Sequence, residues 1–150
     1  MGIKQSSVSK VAVAEFSVDS IVDGVGIQDE TLISYLRRHQ EDGSAKKFTK
    51  EEKCDMAKRM EPYAEKLVRW AITGSANPDE TDLRCPKLFI YLEVDKNNLG
   101  VKKAHVMTVD QYIHKIMYTA KGNRKTGGFG TGLSFTYATG SKGFKIQLKA

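Results

Sequence analysis

The chain has 150 residues, 40% of them apolar and 28% charged, and a formal charge of +6. Those totals describe one globular domain able to bury a single core. They exclude a helix that spans a membrane, since no run of 18 apolar residues occurs, and they exclude a disulfide framework, since Cys54 and Cys85 are the only cysteines.

Residues 1–9 are polar and serine-rich and read as a flexible arm ahead of one domain over 10–150. The start lacks the long apolar stretch of a secretory leader. Met1-Gly2-Ile3-Lys4-Gln5-Ser6 fits the N-myristoylation pattern, which makes Gly2 a candidate lipidation site. The segment from Lys10 to Val18, KVAVAEFSV, predicts a strand. Ser20 to Ile27 contains Gly24 and Gly26 and predicts a turn or irregular connection.

Asp29 can cap a helix over 29–41, with Gly43 as its stop and Arg37-Arg38-His39 as a basic cluster at the end where cations suit the helix dipole. Thr49-Lys50-Glu51-Glu52 is a capping box. It opens a helix over 49–73 whose apolar side carries Met56, Met60, Tyr63, Ala64, Leu67, Val68 and Ala71. Pro62 should kink or divide that helix, because it lacks an amide donor. Trp70 reads as a core or interface anchor.

Lys87 to Val94, KLFIYLEV, is the strongest strand signal, and its unbroken apolar run predicts burial on both faces. Asp95 to Gly100 is a turn, and Lys102 to Met107 the returning strand. A second capping box, Thr108 to Gln111, opens a helix over 109–121. Lys121 to Gly132, KGNRKTGGFGTG, reads as a glycine-rich basic loop. Alternation through Leu133, Phe135 and Tyr137, and again through Phe144, Ile146 and Leu148, predicts a C-terminal β-hairpin. The expected fold is therefore α+β, with about three helices and a small antiparallel sheet ending in that hairpin; a mainly helical core with a hairpin appendage is the alternative.

Charge is unevenly placed. Residues 111–150 hold seven Lys or Arg, no Asp or Glu, seven of the 13 glycines and six of the 13 aromatics, whereas the first 110 residues hold 17 bases against 18 acids. Cations, close-approach backbone and rings in one segment suit a polyanion. The candidate nucleic-acid contacts are Lys115, Lys121, Arg124, Lys125, Lys142, Lys145 and Lys149, with Phe129 placed to stack on an unpaired base, a geometry that favours single-stranded RNA. The glycine-rich loop is not a nucleotide-phosphate cradle: a helix precedes it and a strand follows, the reverse of the order such cradles need.

No catalytic triad, zinc spacing or cofactor fingerprint is present, so no cofactor is expected and the balance of the reading is against an enzyme. It favours a non-catalytic assembly or packaging protein of the nucleocapsid, coat or matrix type, homo-oligomeric, in the cytoplasm, at a membrane or in a virion. One alternative is an N-myristoylated peripheral membrane protein of the matrix or adaptor kind, with the basic end meeting anionic lipid. A second is a metal-dependent nuclease, since strand alternation would put Glu93 and Asp95 on one face as a carboxylate pair.

Overall fold

Ser17 decides where the first helix begins. Its hydroxyl accepts from the amide of Ser20, and the helix ends at Gly26, whose φ of 74° needs no side chain. In the computed structural model, which describes residues 12–75, 81, 85–95, 97, 100–120, 128–137 and 145–150, this gives β1 (Ala12–Phe16) followed by α1 (Val18–Val25). The turn expected over 20–27 is thus a helix. Gly24 is there for space, because a Cβ at that position would overlap the indole of Trp70. Trp70 in turn lies against Phe16, with ring centroids 3.9 Å apart, so the anchor expected of it ties β1 and α1 to the helices.

Asp29 caps α2 (Glu30–Asp42) by accepting from the Leu32 amide, and Gly43 closes it in the left-handed region. The Thr49 capping box is complete and opens α3 (Lys50–Met60). Pro62 then forces a single 3-10 turn, Glu61–Tyr63, before α4 (Ala64–Thr73), so the long helix divides where the missing amide requires it. The chain continues through β2 (Leu88–Val94), β3 (Val101–Thr108), α5 (Val109–Ala120), β4 (Ser134–Tyr137) and β5 (Ile146–Lys149). Thr108 and Gln111 exchange the two hydrogen bonds of the second capping box.

The strands form two antiparallel sheets. One has the order β1-β5-β4, so the predicted C-terminal hairpin gains β1 on its far side; the other is the β2–β3 hairpin alone. The class is α+β, as the alternation of elements indicates. The core joins α1 to α4, one face of α5 and the inner face of the three-stranded sheet, where Phe135, Ile146 and Leu148 are buried. The expectation of burial on both faces fails for β2. Six of its seven residues are exposed; the half-buried one is Phe89, which stacks on Tyr112 of α5 at 4.3 Å.

Candidate nucleic-acid interface

Several arginines and lysines of the first 110 residues are paired with acids within the fold. Arg37 pairs with Asp19 at 3.6 Å, and Arg38 with Glu52 at 2.6 Å while it lies 4.4 Å over the Phe48 ring. Lys47 pairs with Asp42 at 2.7 Å. Arg59 bridges Asp29 and Asp55 at 3.0 and 2.9 Å, and Arg69 joins α4 to α5 through Asp110 at 2.8 Å. The Leu32 amide first and then the Arg59 guanidinium hold the Asp29 carboxyl below its ordinary range, and Arg59 with the Tyr35 hydroxyl does the same for Asp55. With 17 bases against 18 acids the first 110 residues nearly balance, so the uncompensated charge of the chain comes from the segment after Asp110.

Of the predicted contacts in that segment, Lys121, Arg124, Lys125 and Lys142 lie outside the described residues, as do Gly2 and the arm over 1–9. Lys115 is exposed on α5, its ammonium 6.0 Å from the ring of Tyr91. Lys149 is half-buried on β5, on the face opposite Ile146 and Leu148, and Lys145 immediately precedes that strand. The basic set therefore reaches two places, the β2–β3 hairpin beside α5 and the polar face of the three-stranded sheet.

Phe129 belongs to neither. The expected base-stacking ring is fully buried, 5.2 Å from Phe135, 6.0 Å from His39 and 6.3 Å from Phe48. The reason lies in the turn that carries it. The Gly128 carbonyl accepts from both the amide and the hydroxyl of Thr131, at 3.0 and 2.7 Å, and that hydroxyl accepts from the Leu133 amide. Phe129, Gly130 and Gly132 all have positive φ. A Cβ at Gly132 would collide with the Ile116 carbonyl of α5. The second half of the glycine-rich stretch is thus a packed corner that drives Phe129 inward. Composition marks flexibility there; the tight hydrogen bonding of Thr131 overrides it.

His39 is likewise not part of a surface cluster. It is buried among Phe48, Phe129 and Phe135, and neither ring nitrogen has a hydrogen-bond partner among the described residues. Burial pulls its pKa from 6.5 down to about 4, against the opposing charge of Asp42.

The carboxylates singled out for metal chemistry have separate partners. Glu93 lies opposite Lys103 and 3.3 Å from His105. The register shifts just after Glu93, where Val94 faces Val101 and Lys102 is the extra residue on β3, and β2 ends before Asp95. Asp95 accepts from the Asn97 amide at 2.8 Å and pairs with Lys102 at 3.2 Å, the bonding of a turn former. No group of three or more His, Cys, Asp or Glu converges among the described residues. These side chains do not fit a hydrolytic metal centre, and no cleavage step is derived from them. Asp95→Ala should cost about 1 kcal/mol in thermal or denaturant unfolding, mostly the lost turn bond, while Asp95→Asn keeps that bond and stays within about 0.5 kcal/mol of the parent.

A family model described as restriction endonuclease MspI matches residues 1–150. The chain belongs to the MspI restriction endonuclease family. The type II restriction enzyme MspI of a Moraxella species is 40% identical over 150 residues, which are 99% of this chain and 56% of that protein. The crystal structure of restriction endonuclease MspI in complex with its cognate DNA matches with a TM-score of 0.86 at 38% identity, over 96% of this chain and 54% of that one. The chain thus spans about half the length of the MspI proteins it matches.

Membership of the MspI family overturns the packaging reading. Nucleocapsid, coat and matrix roles fall with it, and so do the virion and membrane settings and the acylated adaptor alternative. Single-stranded RNA as the favoured partner falls too, because the solved MspI structure holds cognate DNA. The non-catalytic label does not suit a family of endonucleases, and of the functions considered from sequence the nuclease alternative is the one the MspI match favours. A segment rich in cations announced a polyanion; nothing in its composition distinguishes duplex from single strand once Phe129 is misplaced at the surface.

Proposed function

We propose that this chain is the DNA-gripping part of an MspI-type restriction endonuclease, contacting the backbone of double-stranded DNA within an enzyme that cleaves it. The observation that carries the reading is the 0.86 TM-score to a family member held on its cognate DNA. Charge supports it independently. The first 110 residues nearly balance, 17 bases against 18 acids, so the net positive field arises after Asp110 and is left for phosphates. Lys115, Lys145 and Lys149 are the described members of the contact set, and Lys121, Arg124, Lys125 and Lys142 complete it. Phosphate contacts of this kind position a protein on the duplex and carry no sequence information themselves.

Each neutralised phosphate releases counterions, so the affinity falls with salt by a slope of roughly 0.9 per contact. Replacing Lys121, Arg124 and Lys125 together by Ala should lower that slope by about 2 to 3 and weaken duplex binding at least tenfold near 0.1 M salt, read by fluorescence anisotropy on a labelled duplex. An unchanged slope in the triple variant would remove this segment from the interface.

A further inference from the structure

The β2–β3 hairpin presents an apolar face with nothing on it among the described residues. Leu88, Ile90, Leu92 and Val94 project to one side together with their cross-strand partners Val106, Ala104 and Val101. Ile90 and Val106 are 63% and 62% exposed, and seven of the eight large exposed hydrophobic residues in the described structure belong to this hairpin. A two-stranded sheet is marginal in water without a covered face, and an apolar patch of this kind marks an interaction surface. The sequence makes the same statement: five consecutive apolar residues, Leu88 to Leu92, are written for a strand covered on both sides. Helix α5 covers one side, through Phe89 and Tyr112.

The matched relatives show what is at hand to cover the other. This fold occupies 54% of the solved MspI chain with a TM-score of 0.86, so 46% of that chain lies outside the matched unit. We infer that the outer face of β2–β3 is the docking surface for the part of the MspI fold that lies outside the match, received as an apolar element laid across Ile90, Leu92 and Val106. The opposite hairpin face, with Glu93, Lys103 and His105, is charged and does not suit that role. The inference rests on family membership and on the bare face, and it holds or fails independently of DNA contact.

The test is to co-express this chain with the unmatched part of the Moraxella MspI enzyme carried as a separate tagged polypeptide, and to measure the purified product by sedimentation velocity. A 1:1 complex is expected. Ile90→Lys with Val106→Lys should weaken it at least a hundredfold, while Lys103→Ala on the other face leaves it unchanged. Both sites are exposed, so the double variant should keep the far-ultraviolet circular dichroism of the parent. Methyl resonances of Ile90, Leu92 and Val106 in the unaltered chain give a second readout that needs no substitution, and they should shift on association while those of buried Ile21 and Leu67 stay in place. Absence of the complex, a self-dimer that excludes the added polypeptide, or a complex indifferent to both lysines would each overturn the inference.

Discussion

Phe129→Ala should lower the unfolding free energy by about 3 to 5 kcal/mol, the range for emptying a large buried aromatic site. The ring touches Phe135, Phe48 and His39 and sits where the corner over 128–133 meets α2 and the three-stranded sheet. Its backbone gives the prediction a second signature. At φ 48° an L side chain is strained by roughly 1 to 2 kcal/mol, which glycine avoids. Phe129→Gly should therefore be no less stable than Phe129→Ala, against the usual order in which glycine is the worse replacement. Chemical denaturation of the two variants checks both statements. A loss under 1 kcal/mol in each would mean that the ring is not in the core, and would reopen its role as a base-stacking side chain.

Acid should unfold the protein earlier than its ion pairs require, and His39 is the reason. The imidazole is neutral in the fold down to about pH 4 but takes a proton near 6.5 when the chain is unfolded. Between those values the unfolded state binds the extra proton, so stability falls as the pH falls. The full interval is worth roughly 3 kcal/mol at about 1.4 kcal/mol per pH unit. The carboxylates with lowered pKa act later. Asp29 and Asp55 begin to lose their contribution only below 3.8, and Glu52, held down by Arg38, only below 4.5. Denaturation midpoints followed from pH 7 to 4.5 isolate the histidine. His39→Leu should flatten that slope, since leucine fills the cage without titrating; a slope that survives the substitution assigns the effect elsewhere.

Much of the scaffold could be read directly from residue order. The capping residues Asp29, Thr49 and Thr108, the stop at Gly43 and the break at Pro62 act through their nearest neighbours, so the helices begin and end where local chemistry says. Errors arose where a distant partner decides. Gly24 looked like a turn because the Trp70 indole that occupies its missing Cβ is 46 residues away along the chain. His39 reads as one of a basic cluster at a helix end because its cage comes from Phe48, Phe129 and Phe135, on other elements.

The candidate site was legible as a charge distribution and illegible as a geometry. Seven cations without an acid make a polyanion the expected partner from sequence alone. Whether a neighbouring aromatic faces solvent depends on the Gly128–Thr131 hydrogen bonds and on the Ile116 carbonyl behind Gly132, which no spacing rule encodes. The carboxylate pair failed for a similar reason, because each acid takes a partner of its own, Glu93 the His105 ring and Asp95 the Asn97 amide and Lys102.

The most direct measurement is a competition between duplex DNA and single-stranded RNA of equal length for this chain, followed by anisotropy at several salt concentrations. The account predicts that the duplex wins, and that its affinity falls steeply with salt in proportion to the phosphates engaged. RNA binding that equals or exceeds duplex binding, or a duplex affinity indifferent to salt, would contradict it.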